Sequence, residues 1–290
     1  MAKKLKGKLM NNHIHWYPGH IAKAERLLKE KLNLVDVILE VLDARIPISS
    51  AYGNTKTLFQ NKPRIILLNK CDLSDSNENL KWKKILEEKT GAICLLTTNS
   101  GAKDTNLIIN KIIEISKPVI DKMVSKGLLP RPIRVMVAGM PNVGKSSTIN
   151  RLIKKSKTKI GAKAGVTRQQ QWVRVHEKIE LLDTPGIIPM KQDNQEVALK
   201  LAFVNSIGEN AYDNEYAAQE LLKLLVKKYE QNLKDYYNLE DLDITIENIA
   251  LKRNWIVKEG KPDIVRCSQF ILSNFRDGKI GKFTLDEYGD

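Results

Sequence analysis

Apolar positions along the first two thirds of the chain switch between a helical and a strand period. "IAKAERLLKEKLNL" (21–34) spaces them three and four apart and predicts an amphipathic helix. "VDVILEVLDAR" (35–45) predicts a strand, ending in the polar loop "IPISSAYGN". Then come a strand at 64–68, a helix at about 78–89, the strand "ICLLTT" (93–98) and a helix at about 104–125. After the turn-rich "KGLLPRP" (126–132) come the strand "IRVMVAG" (133–139), a helix from about 145, and a strand pair at 170–175 and 179–184. Strands alternating with helices predict an α/β fold on a doubly wound, mostly parallel sheet. From about 195 the pattern is helical only, clearest in "QEVALKLAFVNSI" and "EYAAQELLKLLVKKY". The expected division is therefore an α/β domain over 1–192, with a basic N-terminal extension, and a smaller all-helical domain over 193–290.

Composition narrows the setting. The 290 residues are 42% hydrophobic, enough to fill one large core and a smaller one. The three cysteines (Cys71, Cys94, Cys267) are widely spaced without a CxxC, which argues for a reducing compartment and against a disulfide framework or zinc site. No apolar run approaches a membrane span of ~20 residues, and "MAKKLKGKLMNN" lacks the apolar centre of a signal peptide, so a cytoplasmic protein is expected. The net charge is +14, unevenly spread: residues 195–290 hold 13 Lys+Arg against 17 Asp+Glu, and the remainder holds 35 against 17. A positive first domain suits a polyanion, most simply RNA; a solvated lysine-rich surface is the plainer alternative.

Three motifs bring chemistry. Gly139-x4-Gly144-Lys145-Ser146 follows a strand and opens a helix, the setting a phosphate-binding loop requires. There the backbone N–H groups around Asn142, Val143, Gly144 and Ser147 could cradle α/β-phosphates at a helix N-terminus, Lys145 could reach the β/γ-phosphates, and Ser146 could ligate Mg²⁺. "LLDTPG" (181–186) brings Asp183 to the end of a strand, where it could hold Mg²⁺ through water, and the Gly186 N–H within reach of a γ-phosphate. Asn69-Lys70-Cys71-Asp72 ends another strand. The Asp72 carboxylate can accept from the N1–H and 2-amino group of guanine, donors that adenine lacks, so GTP is favoured over ATP. Asn69 would pin that loop and touch N7, and the Lys70 stem would stack on the base. A weaker signal, "TTNSGAK" (97–103), offers Asn99 and Ser100 from the other side of the base. Thr167 is the candidate switch threonine, its hydroxyl closing over Mg²⁺ when γ-phosphate is present.

The order of these elements is unusual. Both base loops precede the phosphate loop, and "DTPG" comes last. That is the order of a GTPase domain cut and rejoined by circular permutation, a rearrangement open to domains whose termini lie close together. It sends the chain from the γ-phosphate-sensing segment straight into the helical domain. Together with "HWYPGHIAKA", "LDARIPISS", "NKPRIILLNK", "GMPNVGKSSTINRL" and "LLDTPGI", this order resembles the ribosome biogenesis GTPase A family of circularly permuted YlqF/YawG GTPases. The resemblance is dense over about 15–190 and thinner beyond.

The resemblance implies a GTPase that assists late maturation of the large (50S) ribosomal subunit, binds ribosomal RNA and proteins there, and is stimulated by the subunit. It also implies a helical C-terminal domain. The position after DTPG holds Ile187, which cannot orient water as a glutamine does in many small GTPases, and the resemblance points instead to His20. His20 as a simple helix-start residue is the alternative. Asn142 matches the asparagine that ligates a monovalent cation, K⁺, in several related GTPases; a loop-stabilising role is as plausible. One departure stands out: Ala164 replaces the family's usual proline ahead of the switch glycine.

His13 and His15 lack a third metal ligand nearby and read as surface or RNA-facing groups. The run 151–163, beginning at Arg151, could contact RNA phosphates or be a solvated helix end, and Lys223, Lys227 and Lys228 are the candidates for a basic face in the acidic second domain. A monomer is expected. The competing reading is a nucleotide-gated RNA-binding scaffold whose hydrolysis is dispensable. A signalling GTPase is disfavoured by the absence of lipidation motifs and by the charge.

Overall fold

A computed structural model describes residues 26–52, 58–59, 62–99, 102–159, 172–182, 186–187, 194–240 and 242–288. His20, Ser100, Thr167 and Asp183 lie outside the described residues, as do His13, His15 and Ala164. The described chain forms two compact units.

The first unit is built on a seven-stranded sheet. Its strands are β1 (Val37–Asp43), β2 (Arg64–Asn69), β3 (Ile93–Leu96), β4 (Ile133–Gly139), β5 (Trp172–His176), β6 (Ile179–Leu182) and the two-residue β7 (Gly186–Ile187). The order is β3-β2-β1-β4-β6-β5, with β7 beside β4. All pairings are parallel except β5 with β6. The helices are α1 (described over 26–32), α2 (Ser76–Thr90), α3 (Ala102–Ile115), α4 (Lys117–Ser125) and α5 (Lys145–Lys159). The sequence expectation of an α/β, doubly wound, mostly parallel sheet is met.

Local chemistry sets the boundaries. The Asp75 side chain caps α2 by accepting from the Asn77 and Glu78 N–H groups, and Gly91 ends it in the left-handed conformation at φ 67°. The single helix expected over 104–125 is two helices. Pro118 has no N–H to offer the Glu114 carbonyl, so the helix stops at Ile115 and restarts at Lys117.

β1 is buried over its whole length, as a central parallel strand must be. On one face, Ile38 meets Leu28 and Leu32 of α1 with Met136 and Leu182, while Leu42 meets Trp82 and Leu86 of α2 with Ile66 and Leu68. Between them on the same face sits Glu40, whose buried carboxylate pairs with Arg64 at 2.8 Å. Burial outweighs the attraction of Arg64 and pushes the Glu40 carboxyl up to about 7.

The second unit is helical: α6 (Gln195–Phe203), α7 (Asn214–Tyr237), α8 (Ile246–Lys252) and α9 (Ile264–Arg276). Each is started by a side-chain cap, from Asn194, Asp213, Thr245 and Asp263 respectively. Arg276 at the end of α9 donates to the Ala202 and Phe203 carbonyls that close α6 and pairs with Glu209 at 2.9 Å. Leu201, Phe203, Leu221, Leu225, Ile249, Cys267, Ile271 and Phe275 are buried within this unit.

One segment departs from the expected division. The reading that gave 193–290 to the helical domain includes residues 282–288, yet these belong with the α/β unit. The reason is contact. The Phe283 and Leu285 N–H groups donate to the Leu73 and Arg45 carbonyls, and the Tyr288 ring stacks on Trp82 with centroids 5.1 Å apart.

Candidate nucleotide site

Four strands deliver their carboxyl ends to one edge of the sheet. β1 ends at Asp43, β2 at Asn69, β3 just before Thr97, and β4 at Gly139. β1 and β4 are neighbours, but the chain runs from β1 towards β2 and β3 on one side and from β4 towards β5 and β6 on the other. That reversal opens the crevice in which open α/β sheets bind ligands.

The phosphate loop turns on two conformations. Asn142 has φ 58° and Gly144 has φ 106°, so successive N–H groups can point to the same side. Asn142 and Ser146 are exposed, Ser147 is half-buried and Val143 is buried. A Cβ on Gly139 would lie 2.5 Å from the Val41 carbonyl oxygen, so only glycine allows β4 to leave the sheet this close to β1. Lys145 Nζ donates to the Met140 carbonyl at 2.6 Å, lying across its own loop. Burial lowers its pKa to about 8. The exposed Ser146 hydroxyl in the first turn of α5 is a hard oxygen donor beside the phosphate loop. Mg²⁺ typically combines such a donor with phosphate oxygens and water, so this part of the site fits that ion.

Asn69 joins three loops. Fully buried, it donates through Nδ2 to the Val143 carbonyl at 2.9 Å and to Asn99 Oδ1 at 2.9 Å, and its Oδ1 accepts from Thr97 Oγ1 at 3.1 Å. The expected base loop, the second base loop and the phosphate loop thus meet at one amide. Backbone bonds support them: Cys71 N–H to the Thr97 carbonyl at 3.1 Å and Thr97 N–H to the Leu68 carbonyl at 2.9 Å. Asp72 and Asn99 are exposed at the rim, where an incoming base could reach them. β7 places Gly186 opposite Ala138 and Ile187 opposite Gly139, alongside the start of the phosphate loop.

Two features escaped the sequence reading. Lys70, at φ 64°, does not extend freely; its ammonium pairs with Asp43 at 2.8 Å, and Arg45 grips the same carboxylate at 2.8 Å. Burial alone would raise the Asp43 carboxyl, but these two cations hold it well below the usual carboxylate range. The signal was the Asp and Arg of "LDAR" at the end of an otherwise apolar strand. The second is Arg151, taken as a candidate RNA contact. It turns inward from α5, donating through Nη1 to the Thr98 carbonyl and approaching Asp104 at 3.7 Å. Asp104 in turn accepts from the Thr98 N–H at 3.0 Å. The guanidinium braces the Thr98 turn of the expected second base loop.

Comparisons with known proteins agree with this architecture. A family model described as a 50S ribosome-binding GTPase matches residues 134–257. Ribosome biogenesis GTPase A of Bacillus cereus is 38% identical over 284 residues, covering 96% of this chain and 96% of that protein. The Thermotoga maritima protein of the same name is 31% identical, covering 95% of each. Among solved structures, GNP-bound YlqF from T. maritima matches with a TM-score of 0.65 at 26% identity, covering 92% of this chain and 99% of that one. The GDP-bound form matches with the same score at 25% identity. With relatives this similar across nearly their whole length, the chain belongs to the ribosome biogenesis GTPase A family.

Proposed function

We propose that this GTPase is a timed assembly factor for late maturation of the large (50S) ribosomal subunit, binding the precursor's RNA and proteins in the GTP state and leaving after hydrolysis. The observation that carries the nucleotide half of this reading is the Asn69 amide, which ties the two base loops to the phosphate loop. The names of the relatives and the net charge of +14 support the ribosomal half.

In this reading Asp72 accepts from the guanine N1–H and 2-amino groups, Asn69 fixes the loop, the Lys70 stem covers one side of the base, and Asn99 and Ser100 approach the other. The N–H groups of residues 142–147 receive the phosphates at the N-terminus of α5. Lys145 exchanges the Met140 carbonyl for a β/γ-phosphate oxygen. Ser146, Thr167 and, through water, Asp183 would hold Mg²⁺, which would supply positive charge to the phosphates. Asn142 is the candidate K⁺ ligand, and the Gly186 N–H reports the γ-phosphate. Hydrolysis needs a group to orient water, and Ile187 cannot supply it. His20 does so when the protein is bound to the ribosomal particle. The work is cytoplasmic; among the described residues no helix is long and apolar enough to cross a membrane.

Subunit-stimulated turnover in His20→Ala tests the catalytic part. The expected result is a large fall in kcat with nucleotide affinity unchanged; wild-type kcat would remove His20 from the mechanism. If a variant unable to hydrolyse still matures subunits, the scaffold reading replaces the enzymatic one.

A further inference from the structure

The "LDARIPISS" stretch and the last residues of the chain have no part in the nucleotide chemistry described so far, yet they meet. Asp286, almost wholly buried, accepts from the Ile48 N–H at 2.8 Å and the Ser49 N–H at 2.9 Å through one carboxylate oxygen. Its other oxygen accepts from the Ser49 hydroxyl at 2.6 Å. Next to it, the Leu285 N–H donates to the Arg45 carbonyl at 2.8 Å. Arg45 in turn holds both oxygens of Asp43, through Nε at 2.9 Å and Nη2 at 2.8 Å, and Asp43 holds the Lys70 ammonium. On the far side of that loop, the Phe283 N–H donates to the Leu73 carbonyl at 3.3 Å, directly after the Asn69–Asp72 turn. The tail therefore bonds to residues 45–49, whose Arg45 holds the Asp43 partner of Lys70, and to Leu73, the residue that follows Asp72.

We propose that residues 283–288 form a strap that positions the guanine loop, with Asp286, Arg45 and Asp43 as positioning residues for Lys70 and Asp72. The proposal rests on the reading of 69–72 as the guanine loop. Its physical basis is pre-organisation. Lys70 sits at a positive φ that lysine rarely adopts, and Asp72 is exposed at the end of the same turn. A base-reading carboxylate discriminates only if it is already aimed when the base arrives, and the bonds from the chain's last residues hold Leu73 and Arg45, the neighbours through which Asp72 and Lys70 would be aimed. In sequence, the helical unit lies between the phosphate-sensing segment and this strap.

The test compares GDP with inosine diphosphate, which lacks the 2-amino group that Asp72 is read to bind. Release of fluorescent GDP and the affinities of both nucleotides are measured in the full chain for Asp286→Asn, Ser49→Ala and Asp72→Asn. Replacing the charged acceptor is expected to speed GDP release about tenfold, and losing the single Ser49 bond about threefold. In both variants the preference for GDP over inosine diphosphate should shrink. Ser49→Ala removes one hydroxyl and keeps the question answerable if Asp286→Asn fails to fold. Unchanged release, or equal weakening of both nucleotides, in folded variants overturns the strap. Asp72→Asn separates the two claims: if it leaves the GDP preference intact, the guanine-loop reading itself fails; if it abolishes the preference while the strap variants do not alter it, only the strap fails.

Discussion

Gly144 lies at the most crowded point of the site, and replacing it with alanine gives a prediction whose size follows from the geometry. A Cβ at Gly144 would stand 2.1 Å from Asn69 Nδ2 and 2.8 Å from Asn99 Oδ1. Asn69 cannot simply swing aside. It is fully buried and makes three hydrogen bonds, to Val143, Asn99 and Thr97. Displacing it forfeits about 0.5–1.5 kcal/mol per bond. The backbone at φ 106° adds about 1–2 kcal/mol of strain for a residue with a Cβ. Even if Asn69 keeps one bond, Gly144→Ala should cost about 2–5 kcal/mol. Much of that is a clash with one side chain, so it should disappear when the side chain is shortened. In an Asn69→Ala background, Gly144→Ala should cost only the backbone strain, about 1–2 kcal/mol. Urea unfolding of the four proteins in this cycle, followed by circular dichroism, reads the coupling directly. Additive effects, agreeing within about 0.5 kcal/mol, would refute the claim that the phosphate loop and the base loop are locked together through Asn69.

Three further outcomes follow from the same structure. The Glu40 carboxyl, raised to about 7 when folded, keeps a proton that the unfolded chain gives up near pH 4.5. The stability it adds is present below that pH and is lost as pH rises to 7, by about 3 kcal/mol, so Glu40→Gln should flatten this part of the pH–stability curve, whereas parallel curves would contradict the assignment. Lys145, at about 8 before nucleotide arrives, should return towards full charge beside phosphate. Calorimetric titration with GDP at pH 8, in buffers of different ionisation enthalpy, should then show uptake of about half a proton, and no uptake would place Lys145 away from the phosphates. Gly139→Ala brings a Cβ to 2.5 Å from the backbone oxygen of Val41, which has no rotamer to change, so soluble yield and melting temperature should fall more than for Gly144→Ala.

The sequence showed most clearly what depends on local pattern. The largely apolar runs located β1, β2 and β4, because a strand buried on both faces carries few polar residues, Glu40 being one that β1 does carry. The phosphate loop was legible because its glycines answer a backbone demand, seen at Gly144 and Gly139. Pro118 could have been read as the break between α3 and α4, since its missing N–H is a local fact. The rest depended on partners distant in sequence. Nothing in "KFTLDEY" marks Asp286 as an anchor, because its partners Ile48 and Ser49 lie more than two hundred residues away. Arg151 reads as one cation in a basic run until Thr98 and Asp104 come to meet it.

The central claim is a nucleotide-gated encounter with the large-subunit precursor, and sedimentation tests it most directly. The full chain is mixed with large subunits, mature and immature, in the presence of a non-hydrolysable GTP analogue, GDP or no nucleotide, and each mixture is spun through a sucrose cushion. The account predicts that the protein travels with the immature subunit in the presence of the analogue and stays behind with GDP or without nucleotide. Equal binding under all three conditions would contradict it.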